Sequence, residues 1–361
     1  MDIGFEEAGF GVVWTNEYNK SFARLYSHAF TAWRKSKGED NQVNISSTAS
    51  IESLRAPAVL KEAFPSGIPK VFGVIGGPPC PDFSRGGKKR GFEGENGRLT
   101  RTYVNLLMGL KPAFFVLENV PGLVRYEKPR AVFDELLRKV KRKGYVVRHA
   151  ILNALQFGVP QDRERLFAIG FEKDFFKQLA KDETEDGWEF AWPSVRKYGK
   201  VHSLKWPGVN KFGGNPRKPI GIPSELTVGG ALLRLPLPES LPNGGDIFKA
   251  KSEKIWRINE GDISGMSFKR LHRNRYSPTA WYGHNEVHLH PWLPRRLSVR
   301  ETLRIQTVPD TYSFPANSTL SSKFKVIGNG VPCKLAEHLA RAIMQTLTKS
   351  AGSFKVGRRR G

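Results

Sequence analysis

The stretch VFGVIGGPPCPDFS, residues 71–84, decides how the chain is to be read. Its first half, VFGVIGG (71–77), is a short apolar run closed by two glycines, the form of a strand buried on both faces of a parallel sheet. Its second half sets Cys80 among Pro78, Pro79 and Pro81, past the end of that strand and just before the basic SRGGKKRG. A stiff turn there presents the thiol to an electropositive neighbourhood. That favours thiolate, and so a nucleophile over a buried, inert cysteine.

Working outward, AFFVLENV (113–120) repeats the apolar run and RLFAIGF (165–171) is a third. Between them KPRAVFDELLRKVKRKG (128–144) carries Val132, Phe133, Leu136, Leu137 and Val140 at helical spacing, with Gly144 as its C-cap. Strands alternating with helices predict an α/β fold with a parallel sheet. Ligands of such sheets gather at the carboxyl ends of the strands. The chain places Cys80, then Glu118 with Asn119, then Arg163 and Arg165 of QDRERLF on that rim. Beside a nucleophilic cysteine, Glu118 has a use as an acid that hydrogen-bonds a ring nitrogen and makes a heteroaromatic ring electrophilic. Asn119 would fix the backbone around it. Arg163 and Arg165 are suited to donate to a carbonyl or phosphate oxygen. The same residues also read as a helix cap and as salt bridges to Asp162 or Glu164, and the local pattern leaves both open.

From about residue 172 to 318 the chain is rich in Pro, Gly, Trp and basic residues with few periodic runs, as in a loop-rich second domain. PCKLAEHLARAIMQTLTKS (332–350) is helical again, with Leu335, Leu339, Ile343 and Leu347 on one stripe. The expected organisation is a catalytic and cofactor domain over 1–171, completed by 319–361, with 172–318 as a recognition domain. The 58 Lys and Arg outnumber 34 Asp and Glu, a net charge of +24 that suits a polyanionic partner, nucleic acid before any membrane. No run reaches the roughly 18 apolar residues of a membrane span. Two cysteines make no disulfide framework. Histidines near 284–290 are irregularly spaced, and no metal is expected.

Taken together, the motifs resemble those of the DNA cytosine-5 methyltransferases, in order over nearly the whole length. GGPPCPDFS is similar to the catalytic-cysteine motif, LENVPGL to the Glu-Asn-Val motif and QDRERLFAIG to the Gln-x-Arg-x-Arg motif. RRLSVRETLRIQTVPDTYSF and VIGNGVP match the later elements. The resemblance implies a Rossmann-like S-adenosylmethionine-dependent sheet with a smaller, loop-rich target-recognition domain. It implies that a cytosine is flipped from double-stranded DNA, that Cys80 adds to C6, that Glu118 contacts N3 and the exocyclic amine, and that Arg165 holds O2 with Arg163 nearby. Residues 84–94 would close over DNA. Glu17, Tyr18, Asn44, Pro79, Asn119 and Asn329 fall at cofactor-binding positions, with Glu17 on the ribose hydroxyls and Tyr18 on adenine. Three positions depart from the pattern: Asn44 stands where Asp is usual, Pro81 where Gln is commoner, and Gly330 where Ser or Ala is usual.

The family also begins with a strand and a Gly-rich loop, whereas MDIGFEEAGF matches the segment just after that loop. A start codon set too late, a separate N-terminal polypeptide and an inactive DNA-binding remnant are the competing explanations, and the first is favoured because every other motif is intact. The expected protein is a monomeric, cytoplasmic, nucleoid-associated enzyme. It would be an orphan methylase or the partner of a cognate restriction endonuclease. A tRNA cytosine-5 methyltransferase is the alternative of a different class.

Overall fold

The computed structural model describes residues 1–39, 45–78, 95–179, 188–250, 252–265, 267–279, 282 and 287–349. Cys80, Pro79 and Asn44, and the segment 84–94, lie outside the described residues. The chain enters through helix α1 (Asp2–Glu7), strand β1 (Trp14–Asn16), helix α2 (Lys20–Lys35), strand β2 (Ile45–Ser47) and helix α3 (Ala56–Ala63). Next come β3 (Gly73–Gly76), α4 (Glu95–Leu110), β4 (Phe114–Asn119), α5 (Gly122–Arg125), α6 (Glu127–Arg142), β5 (Tyr145–Asn153), β6 (Gln161–Asp162), β7 (Glu164–Glu172) and α7 (Lys173–Leu179). Short 3₁₀ turns and loops dominate thereafter, with α8 (Val228–Leu232) and β8 (Ser277–Pro278) among them. The described chain then closes on α9 (Val299–Ile305), α10 (Leu320–Asn329) and α11 (Cys333–Lys349).

β3, β4, β7 and β5 lie side by side in that order, while β1 and β2 form a separate parallel pair. The α/β class is as expected, but the sheet is not wholly parallel. β3 and β4 are parallel, whereas β7 runs antiparallel to both β4 and β5. The cause is the connection between β5 and β7, a 3₁₀ turn (Ala154–Phe157) closed by a left-handed Gly158 at φ 79°. A parallel return needs a dozen or more residues of crossover, and this link is too short for one.

β4 and β7, in the middle of the sheet, are buried on both faces, which explains their unbroken apolar runs. β3, expected from its apolar run to be buried likewise, lies at the edge of the sheet and is only half-buried. Phe114 and Val116 of β4, with Phe167, Ile169 and Phe171 of β7, pack against Phe5 of α1 and Leu335, Leu339 and Ile343 of α11. Phe115 and Leu117, with Leu166 and Ala168, face Val104 and Leu107 of α4 and Phe133, Leu136 and Val140 of α6. The helical stripes predicted for α6 and α11 are therefore the faces that cover the sheet, Val132, Leu137 and Leu347 lying at their margins. Gly144 takes φ 89° just past α6, as a C-terminal glycine does. α1 reaches α11 through Gly4, where a Cβ would lie 2.5 Å from the backbone nitrogen of Glu337. Arg34 of α2, 3% exposed, pairs with Glu6 of α1 and donates to the Val12 carbonyl at 2.6 Å, fixing how the chain enters β1.

The loop-rich region shares cores with the sheet layers at both its ends. Trp188 and Phe190 join the cluster around Phe171. Val299, Leu303, Tyr312 and Phe314 pack with Leu25, Phe30 and Trp33 of α2 and Phe324 of α10. Between those ends, isolated bridges such as Asn210–Glu260 and Arg270–Leu289 replace long strands. Buried arginines take over the tying of backbone there. Arg300 donates to the carbonyls of Pro242, Pro309 and Tyr312. Arg304 donates to those of Arg234 and Pro236 while pairing with Asp310. No helix among the described residues is long and apolar enough to cross a membrane.

Candidate active site

The rim on which the sequence places its chemistry exists because β7 is antiparallel. Gly76 of β3 pairs with Leu117 of β4, so the end of β3 arrives beside Glu118. Asn119 pairs with Leu166, so the start of β7 arrives at the end of β4. A parallel β7 would have carried Arg165 to the opposite edge of the sheet. As it is, Arg165 Nε lies 2.9 Å from Glu118 Oε1, each side chain 13% exposed. Burial lowers the pKa of the Arg165 guanidinium, and the Glu118 carboxylate beside it opposes that fall. The result is a partly buried acid–guanidinium pair that still reaches solvent, at the place where the segment leading to Cys80 begins.

Gly77 is what lets the backbone leaving β3 come so close to Glu118. A Cβ at Gly77 would sit 2.5 Å from Glu118 Oε2. A Cβ at Gly76 would sit 2.6 Å from the hydroxyl of Tyr103, which is itself buried. Gly77→Ala therefore pushes Glu118 off Arg165. The expected outcome is a loss of catalytic turnover of about 100-fold with little change in melting temperature, scaled by what a 1 Å misplacement costs in a positioned site. Activity within twofold of the wild type would show that the close approach does not matter.

Asn119, 3% exposed, accepts a hydrogen bond from the Val120 nitrogen at 2.8 Å through its own Oδ1, while its Nδ2 has no partner among the described residues. It thus fixes the turn leaving β4. Arg163 is placed otherwise than its spacing from Arg165 suggests. It is fully buried and donates from Nη2 to the carbonyls of Gly328 (2.7 Å) and Gly330 (2.9 Å), with Nε and Nη1 unpartnered among the described residues. Burial, and next the neighbouring Arg165 charge, hold its pKa well below the usual guanidinium range. Arg163 therefore clasps the turn after α10, and Asn329, exposed, stands between the two carbonyls it holds. Neither arginine forms the surface pair with Asp162 or Glu164 that the local spacing also allows. Glu164 is taken instead by Arg125 of α5 at 2.7 Å.

On the other sheet, Glu17 comes directly after β1. It is half-buried, burial raises its pKa, and its Oε1 accepts from the Asn19 nitrogen at 2.8 Å. No cation pairs with it among the described residues, so its second oxygen is available to a hydroxyl donor. Tyr18 beside it is 72% exposed. The second cysteine, Cys333, opens α11, and burial pushes its thiol up to about 12, which makes it inert.

Sequence reasoning missed the link between this rim and the loop-rich region. Gln161 of β6 pairs in parallel with Ser277 of β8, and the Thr279 hydroxyl donates to the Asp162 carbonyl at 2.6 Å. Strands of two residues carry no periodic signal, and nothing in the sequence marks them.

The chain matches a family model described as C-5 cytosine-specific DNA methylase over residues 1–216 and 233–345. It is 39% identical over 352 residues to the type II methyltransferase M.NmeDI of Neisseria meningitidis serogroup C, covering 96% of this chain and 81% of that relative. It is 30% identical over 356 residues to the type II methyltransferase M.FnuDI of Fusobacterium nucleatum, covering 96% and 92%. The crystal structure of the S. pombe Dnmt2 methyltransferase, 14% identical, covers 98% of this chain and 95% of its own with a TM-score of 0.57, a likeness of fold.

Proposed function

Because the chain belongs to the C-5 cytosine-specific DNA methylase family, we propose that it methylates C5 of a cytosine flipped out of duplex DNA, through a covalent bond from Cys80 to C6. In this mechanism the Cys80 thiolate adds to C6 and pushes electron density onto C5. Glu118 holds N3 and the exocyclic amine, which draws that density into the ring and stabilises the adduct. Arg165, steadied by Glu118, donates to O2. Once C5 bears the methyl group, loss of its proton to solvent water re-forms the C5–C6 double bond, the Sγ–C6 bond breaks to return the thiolate, and the product leaves. The family is S-adenosylmethionine-dependent, and that cofactor, when bound, supplies the methyl group. Glu17 fits it: a half-buried carboxylate with one backbone donor and no paired cation among the described residues has room for the two ribose hydroxyls, and the open ring of Tyr18 suits adenine. Asn44, Pro79, Asn119 and Asn329 are the further residues assigned to cofactor binding.

The observation that carries this reading is the Glu118–Arg165 pair, held at the mouth of the sheet where Gly77 leads towards Cys80. Target recognition would fall to the loop-rich region. Since both relatives are named type II methyltransferases, the protein is proposed as the modification half of a restriction–modification pair, acting as a monomer.

Duplex DNA carrying 5-fluorocytosine tests the chemistry, because the fluorine cannot leave as a proton does. The wild type should be trapped as an adduct that survives denaturing electrophoresis, and Cys80→Ser should form none. An adduct that persists in Cys80→Ser would overturn the assignment. Methyl transfer to tRNA and none to duplex DNA would replace the DNA reading with the RNA one.

A further inference from the structure

We infer that the loop over residues 213–219 (GGNPRKP) reads the DNA sequence, with Arg217 contacting a base edge and Lys218 a phosphate. The inference rests on the DNA methyltransferase reading above. Much of the basic residue content of the region is already committed inside it. Arg270, Arg300 and Arg304 are buried and spent on carbonyls, and Arg273 and Arg295 are paired with Glu260 and Glu301. Arg217 and Lys218 differ: both are exposed, and neither pairs with a carboxylate among the described residues.

The backbone beneath them is held unusually firmly for a loop. It springs from the Asn210–Glu260 bridge, whose two backbone hydrogen bonds are each 2.8 Å, and turns at Gly213 with φ 79°. Glu260, fully buried, accepts from the backbone nitrogen of Arg273 at 2.8 Å and from its guanidinium at 2.9 Å. So anchored, Arg273 donates onward to the Gly214 carbonyl at 3.0 Å and to Asn215 Oδ1 at 3.4 Å. The Asn274 side-chain amide donates to the carbonyls of Pro216 (3.4 Å) and Arg217 (3.3 Å). Pro216 and Pro219 fix φ on either side of the pair. Ordering has therefore been completed before binding, and two cationic side chains are left projecting from a rigid frame.

The same frame is tied to the base pocket. The backbone of Arg273 and Arg275 accepts from Gly229 and Val228 at the start of α8. Ser277, two residues on from Arg275, pairs with Gln161, which leads through Arg163 to Arg165. The planar fork of Arg217 matches two acceptors on a guanine edge, whereas Lys218 is a point charge. Arg217 also opens the stretch 217–232 that falls between the two segments matched by the family, where a feature particular to this chain belongs.

The test is methylation of a plasmid library carrying randomised tracts, read by bisulfite sequencing, with wild type, Arg217→Ala, Arg217→Lys and Lys218→Ala. Both Arg217 variants should lose at least about 10-fold of the preference at one base pair of the motif, the rest of the motif and the melting temperature staying as they were. Lys218→Ala should keep the motif, raise KM for DNA several-fold and reduce the slope of log KM against log salt by about one. Unaltered preference at every position in Arg217→Ala would overturn the inference. A wild type that leaves the whole library unmethylated would overturn the reading beneath it as well, which separates the two failures.

Discussion

Glu118→Gln should lower methyl transfer to duplex DNA by about 10³-fold, equivalent to roughly 4 kcal/mol of transition-state stabilisation. Glutamine keeps the size of the side chain and can still meet the Arg165 Nε that lies 2.9 Å from Oε1. It cannot exchange a proton with N3 as electron density flows in from C6, as a carboxyl group can. The loss should therefore fall on kcat and leave KM for DNA within a few-fold. Glu118→Asp retains the charge but withdraws it by one methylene, so it separates charge from reach. A variant Glu118→Gln that turns over within about fivefold of the wild type would remove Glu118 from the chemistry. Because both side chains are only 13% exposed, the loss of charge also leaves Arg165 without a counter-ion. Urea unfolding should register that as a smaller effect, about 1–3 kcal/mol.

Arg270→Met should be the most destabilising change in the loop-rich region. Arg270 is fully buried, donates to the carbonyls of Ile258 (2.8 Å), Leu293 (2.9 Å), Ile255 and His290, and lies 3.8 Å over the ring of Phe212. Burial lowers its pKa to about 10, so it remains a cation at neutral pH. Methionine fills the space but leaves four carbonyls without donors, each worth about 1–3 kcal/mol. Releasing the buried charge offsets part of that, and the net expectation is a loss of about 3–5 kcal/mol, a large share of the total stability of a typical domain. Arg270→Lys has one nitrogen to span four acceptors and should recover less than half of it. Chemical denaturation measures both variants, and a change under about 0.5 kcal/mol in Arg270→Met would show that the carbonyls find other donors.

The basic, aromatic stretch around residues 270–296 shows where composition misleads. A positive excess there suggests side chains turned towards DNA, yet Arg270 lies wholly inside and Arg273 clamps a neighbouring loop. Guanidinium groups serve a phosphate or a carbonyl equally well, and a region almost without strands has many carbonyls to satisfy. Arg163 teaches the same lesson at the site itself. Its place two residues before Arg165 suggests a second pocket cation, but it meets Gly328 and Gly330, brought to it from more than 160 positions away.

What the sequence determined by itself was whatever depends on neighbours a few residues apart. An apolar run closed by glycines marked β3, one closed by the polar pair Glu118-Asn119 marked β4, helical stripes marked the covering faces of α6 and α11, and the order of motifs named the family. Tertiary structure alone decided the direction of β7, and with it why Glu118 and Arg165 share a rim. It alone decided which arginines face inward, and that a two-residue pairing of Gln161 with Ser277 joins the loop-rich region to the segment entering β7. The physical reason is the range of the signal. Periodicity records which face of an element is buried, whereas strand direction and the partner of a long polar side chain are settled by groups the chain supplies from far away.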